Sequence, residues 1–210
     1  AILVMTSFIA FSIAATWLTV LDMERRARIR TGSALKAVAA TTQFLLRGWL
    51  IDEIHHLERW ASDTDFKKAV THLVGTRRDR RMLLASPALR DLQESYDLKE
   101  KRPGEQGFVV VAPDFMTIAS DREQDVGRPC AIADHHPALM GKAFAGKSVF
   151  IPSLRGVESE ETVSAHDMFI AIPVDDNFGN VLAVLVMRVD PFKEFSRLCQ
   201  LGRIGESGES

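Results

Sequence analysis

The run of apolar residues along the chain changes character twice, and each regime predicts a different kind of structure. Residues 1–21 carry no charged side chain and are dominated by Ile, Leu, Val, Phe, Met and Ala, up to Asp22. A bilayer core about 30 Å thick needs about 20 such residues in a helix, because backbone polar groups in lipid must bond one another. A signal peptide has a shorter apolar region and a small-residue cleavage site. Here Asp22-Met23-Glu24-Arg25-Arg26 follows directly, so residues 1–22 are read as an uncleaved transmembrane anchor, with a buried core helix as the alternative. The chain opens on Ala1, and residues are expected to precede it. From about Arg28 to Ser62, Leu35, Val38, Thr42, Leu45, Leu46, Trp49, Leu50, Ile54, Leu57 and Trp60 recur at spacings of three and four. That is the stripe of an amphipathic helix, a rod of about 50 Å at 1.5 Å per residue, and residues 23–62 are read as a stalk.

Shorter helices are expected next. One runs from about Thr64 to Val74, with Ser62 and Asp63 as cap candidates, and another from about Asp79 to Leu92, interrupted where Pro87 opens a new turn. After the charged loop Lys99-Glu100-Lys101-Arg102-Pro103-Gly104 the apolar residues fall into short β-branched and aromatic runs. Phe108–Ala112 and Met116–Ala119 flank a Pro113-Asp114 turn. Asp134–Ala145 reads as a helix ended by Gly146, and Ser148–Pro152 as a strand. Met168–Val174 and Val181–Val189 form a second hairpin, and Pro191 opens a last helix. The expected fold class is α+β: an N-terminal transmembrane helix continuing into the long stalk helix, packed on an antiparallel sheet of about five strands.

Composition narrows the function classes. With 26 basic against 28 acidic residues and a net charge of −2, the basic footprint of a nucleic-acid binder is missing. Cys130 and Cys199 are too few for a disulfide framework and lack zinc spacing; they are either two buried thiols or, outside the cytoplasm, one bridge. His55, His56, His72, His135, His136 and His166 include no HExxH spacing, and neighbours on a helix point about 100° apart, so no metal or other cofactor is expected. No Gly-x-Ser-x-Gly elbow, phosphate-binding loop or Cys-x-x-Cys occurs, which argues against an enzyme.

Four features, in this order, resemble the double-Cache sensor domains of bacterial transmembrane receptors. They are the span running into a long helix; Phe115–Ser120 followed by Asp125-Val126-Gly127-Arg128; Phe169–Val174 followed by a Gly-containing turn and Leu182–Val189; and Asp190-Pro191-Phe192 opening a helix. The resemblance implies a PAS-like sheet in a membrane-distal lobe at residues 63–198. Residues 199–210 would begin a linker to a membrane-proximal lobe that is not part of the chain. It further implies a ligand-sensing role, a place in the inner membrane with residues after about 22 on the periplasmic side, a homodimer, and a small-molecule ligand. Arg25, Arg26, Arg28 and Arg30 taken alone would put that flank in the cytoplasm. Amino-acid-binding members carry Arg-x-Trp-Tyr in the helical insert; here the stretch reads His136-Pro137-Ala138-Leu139, so carboxylate capture by that route is not expected. A ligand pocket between the insert and the sheet would be lined by His135, His136, Phe150, Asp167 and Phe169. The alternative is a membrane-anchored interaction or spacer module without a ligand.

Overall fold

The computed structural model describes residues 39–76, 79–152, 167–176, 178–190 and 193. The expected anchor at 1–22, the first part of the stalk, the last helix beyond Lys193, the linker and Cys199 lie outside them. Among the described residues no helix is long and apolar enough to cross a membrane. The chain divides into two compact units, Ala1–Arg47 and Gly48–Ser210. Residues 39–47 are helical in the first; the sheet and the helices that cover it belong to the second.

Helix α1 covers residues 48–62 of that second unit and ends where the apolar stripe ends. Asp63 then starts α2 (Thr64–Thr76): its Oδ1 accepts the N–H groups of Asp65 at 2.9 Å and Phe66 at 3.0 Å, satisfying donors that a helix start leaves open. Asp79 does the same for α3 (Arg80–Ala85), and Pro87 opens α4 (Pro87–Ser95), where its missing N–H costs nothing. One π-helical turn, Tyr96–Glu100, prolongs α4 and closes with the Lys101 N–H on the Tyr96 carbonyl at 2.9 Å.

The sheet has five antiparallel strands in the order β2-β1-β5-β4-β3: β1 (Glu105–Val111), β2 (Thr117–Ser120), β3 (Val149–Ile151), β4 (Met168–Asp175) and β5 (Val181–Val189). The α+β class and the five strands are as expected. Between β2 and β3 the single expected helix is two, α5 (Ala131–His135) and α6 (Pro137–Phe144). Pro137 disfavours helical geometry at the residue before it, and His136 stands at φ −130°, ψ 54°.

Side chains alternate across the strands, and both faces are covered. Phe108, Val110, Ile170, Ile172, Leu185, Met187 and Val189 share the first core with Leu57 and Trp60 of α1, Phe66 and Val70 of α2, and Leu92 of α4. Val111, Phe169, Ala171, Val184 and Val186 share the second with Ile132 of α5 and Met140 and Ala143 of α6. Sandwiching between helices explains why β4 and β5 read as nearly unbroken apolar runs. A bulge breaks the alternation at the head of β1: Glu105 pairs with Val189 and Gly107 with Arg188, so Gln106 is an extra residue. The bulge turns Glu105 toward the first face and leaves Gly107 on the second.

Candidate functional site

Strand β5 contains one charged residue, Arg188, and alternation places it on the second face, in line with Val184 and Val186. Its register partners are Gly107 on β1 and Phe169 on β4, so a row Gly107–Arg188–Phe169 crosses three strands on the face that α5 and α6 help to cover. Arg188 is 4% exposed. Gly107 has φ +147°, and a Cβ there would fall on the Asp121 carboxylate. The missing side chain therefore makes room for Asp121, which follows β2, to reach over β1 and accept from Arg188 Nη2 at 3.4 Å on each oxygen. Asp121 Oδ1 also accepts the Phe108 N–H at 3.0 Å.

Burial is the largest influence on the ionisable groups of this centre. Burial pushes the Asp121 carboxyl up, although Arg188 and Arg122 pull it down. Burial likewise lowers Arg188, although Asp121 and, more weakly, Asp167 raise it. Desolvation outweighs attraction on both sides of the pair, so the pair is a poor source of stability. Perturbed ionisable groups collect at binding sites and in structural ion pairs alike, so the centre is a candidate site.

Of the residues singled out in the sequence, Asp167 is buried at the entrance to β4 and Phe169 stands beside Arg188 in the row. His136 is half-buried at the α5–α6 junction, and its Nε2 is buried with no hydrogen-bond partner among the described residues. His135 is exposed. Phe150 packs against the first core, on the opposite face from Phe169, so the two rings are not walls of one cavity. Sequence reasoning passes over Arg188, Asp121 and Gly107. Arg188 is visible as the lone charge in Val181–Val189, and the other two need the register.

A separate groove of about 660 Å³ lies between the end of α1, α2 and α4. Buried Trp60, Phe66 and Leu92 and exposed Asp65, Lys68 and Asp91 line it; none of the five sequence-derived residues does.

No family model and no curated protein matches the chain. Among solved structures, the sensor domain of the V. cholerae histidine kinase DctB superposes with a TM-score of 0.49 and 16% identity, over 72% of this chain and 52% of that one. The extracellular ligand binding receptor from Desulfohalobium retbaense gives 0.34 and 12%, over 64% and 26%. The A. aeolicus nlh2 GAF domain in an inactive state gives 0.32 and 13%, over 66% and 91%. The chain thus spans about half the length of the first of these.

Proposed function

We propose that the chain is the membrane-distal, ligand-sensing lobe of a double-Cache-type bacterial receptor. It is anchored by residues 1–22, works as a homodimer on the periplasmic side, and performs binding rather than catalysis. The observation that carries the reading is Arg188: a guanidinium 4% exposed, on the sheet face shared with the insert helices, with Asp121, Asp167 and Phe169 around it. The ligand class is a small polar molecule. Its oxygens would meet Arg188 and its donors the carboxylates, while Phe169 offers an apolar wall. Occupancy acts on signalling only through a difference in affinity between two arrangements of the domain; α1, packed on the other face of the same sheet, is the element that would report it.

Isothermal titration and thermal-shift assays with a panel of small polar metabolites test this. A binder whose affinity falls at least tenfold in Asp167→Asn and in Arg188→Gln supports the site. A binder indifferent to both removes it, and a panel without any binder counts against sensing. A second reading, a protein-contact module, is favoured by the groove beside α2, whose apolar floor and charged rim have the anatomy of an interface.

A further inference from the structure

Glu53 of α1 and Glu105 of β1 lie 52 positions apart, yet both carboxyls are buried beside Arg102, on the face of the first core. Their side chains are 6% and 2% exposed. The bulge at Gln106 is what turns Glu105 to this face, opposite Val189. One oxygen of each has a partner: Glu53 Oε2 accepts from Arg102 Nη1 at 3.3 Å, and Glu105 Oε2 accepts the Arg102 N–H at 2.9 Å. The remaining two, Oε1 of each, are fully buried with no donor among the described residues. Two carboxylates cannot satisfy one another, but a carboxylate and a carboxylic acid can, through one shared proton. Among the neighbouring side chains, Glu53 does most to raise the Glu105 carboxyl, acting as a hydrogen-bond partner of its protonated form.

The surrounding charges do not remove the need for that proton. From α1, Asp52 takes Arg102 Nη1 at 3.0 Å, so the guanidinium is divided, and its charge pulls the Glu105 carboxyl down less than burial pushes it up. His56 Nε2 lies 3.0 Å from the Glu100 carbonyl, which can only accept; that nitrogen's proton is committed there, and Glu105 Oε1 is 4.0 Å away. From the π-turn, the Glu100 carboxylate stands 3.8 Å from the same nitrogen. The Tyr96 hydroxyl is held protonated by burial, with Glu105 and Asp121 adding to the effect. Beyond β5, Asp190 donates its N–H to the Gly104 carbonyl at 2.9 Å.

We propose that Glu53 and Glu105 form a proton-binding clasp that fastens α1 to the head of β1 and opens when the shared proton leaves. The clasp stands on different residues from the Arg188 site and does not depend on that site binding a ligand; where the helix reports occupancy, the clasp makes that report pH-dependent.

The sign follows from linkage. Burial first, then the hydrogen bond with Glu53, pushes the Glu105 carboxyl up to about 9, against roughly 4.3 in an unfolded chain. Between those values the folded protein holds a proton that the unfolded one has lost. The clasp's contribution is therefore complete below the ordinary glutamate range and is lost as pH rises toward 9, the unfolding constant growing by at most about tenfold per pH unit.

Urea unfolding of the full chain from pH 5.5 to 9 reads this out. The wild type is expected to weaken steadily, while Glu105→Gln, whose amide donates as the acid did, is expected to run flat and to outlast the wild type at pH 9. Parallel profiles for the two proteins, or a slope abolished only by His56→Gln, would overturn the clasp. Carbon-13 carboxyl NMR of the wild type gives a second reading without substitution. One of the two carboxyls is expected to titrate above pH 7, and titration of neither Glu53 nor Glu105 above pH 7 refutes the proposal.

Discussion

The space that a side chain at Gly107 would fill is occupied by the carboxylate of Asp121. This relationship lets a residue after β2 cross over β1 and reach Arg188 on β5. Gly107→Ala meets two penalties at once, a left-handed φ of +147° and a collision with Asp121. The expected loss of stability is roughly 2–4 kcal/mol by urea unfolding. A loss below about 1 kcal/mol would mean that Asp121 swings aside freely and that the packing has no consequence.

Arg188 and Asp121 should behave as a unit. Their side chains are 4% and 21% exposed, so removing one partner strands the other with little water. Arg188→Met alone is expected to cost about 3 kcal/mol, the lower end for a broken buried pair because Asp121 keeps some solvent. Adding Asp121→Asn should recover part of that loss, giving a coupling of about 1 kcal/mol or more in a double-mutant cycle. Strict additivity would show that the two groups do not feel each other.

How much of the fold is legible in the sequence depends on the range of the interaction concerned. Val181–Val189 and Met168–Asp175 announce themselves because a sheet covered on both faces needs unbroken apolar strands, and Pro87 marks a helix start by its own geometry. Strand β1 begins earlier than the apolar run Phe108–Ala112 suggests, because Glu105-Gln106-Gly107 is a polar bulge whose residues are chosen by partners far away in sequence. The break at His136 is available from Pro137, although the residues on its two sides read as one continuous helix. The sheet face of Phe150 and Phe169 cannot be told without register, since residues 153–166 separate their strands. Glu53 carries a local signal: it falls on the apolar stripe with Leu50, Leu57 and Trp60, where a carboxylate belongs only if something buried answers it. The answering residue, Glu105, is a tertiary fact.

Cys130 should be chemically silent in the folded protein. It is 4% exposed in the second core, and burial raises its thiol above the ordinary range, so little thiolate forms at neutral pH. In a Cys199→Ser background, reaction with a thiol reagent is expected to run at least about 100-fold slower than with a free thiol, and to accelerate in step with unfolding. Fast modification of the native protein would mean that α5 lifts from the sheet readily.

Trp60 ties α1 to three other elements. Its ring lies 4.9 Å from Phe66 of α2, 5.7 Å from Tyr96 of the π-turn and 5.3 Å from Phe108 of β1, centroid to centroid. Edge-on and stacked contacts of this kind add about 0.5–1.5 kcal/mol per pair beyond the area they bury. Trp60→Ala is expected to cost about 3–5 kcal/mol. Trp60→Phe, which keeps an aromatic ring but shrinks it, should cost about half as much. The ring also sits one helical turn from Leu57 and two from Glu53 on the same face of α1, so Trp60→Ala removes apolar cover on the side where Glu53 and Glu105 are buried. The pH slope of stability should therefore shrink in Trp60→Ala along with the stability itself, because a wetter carboxyl pair has less reason to share a proton. An undiminished slope in that variant would place the proton away from this core.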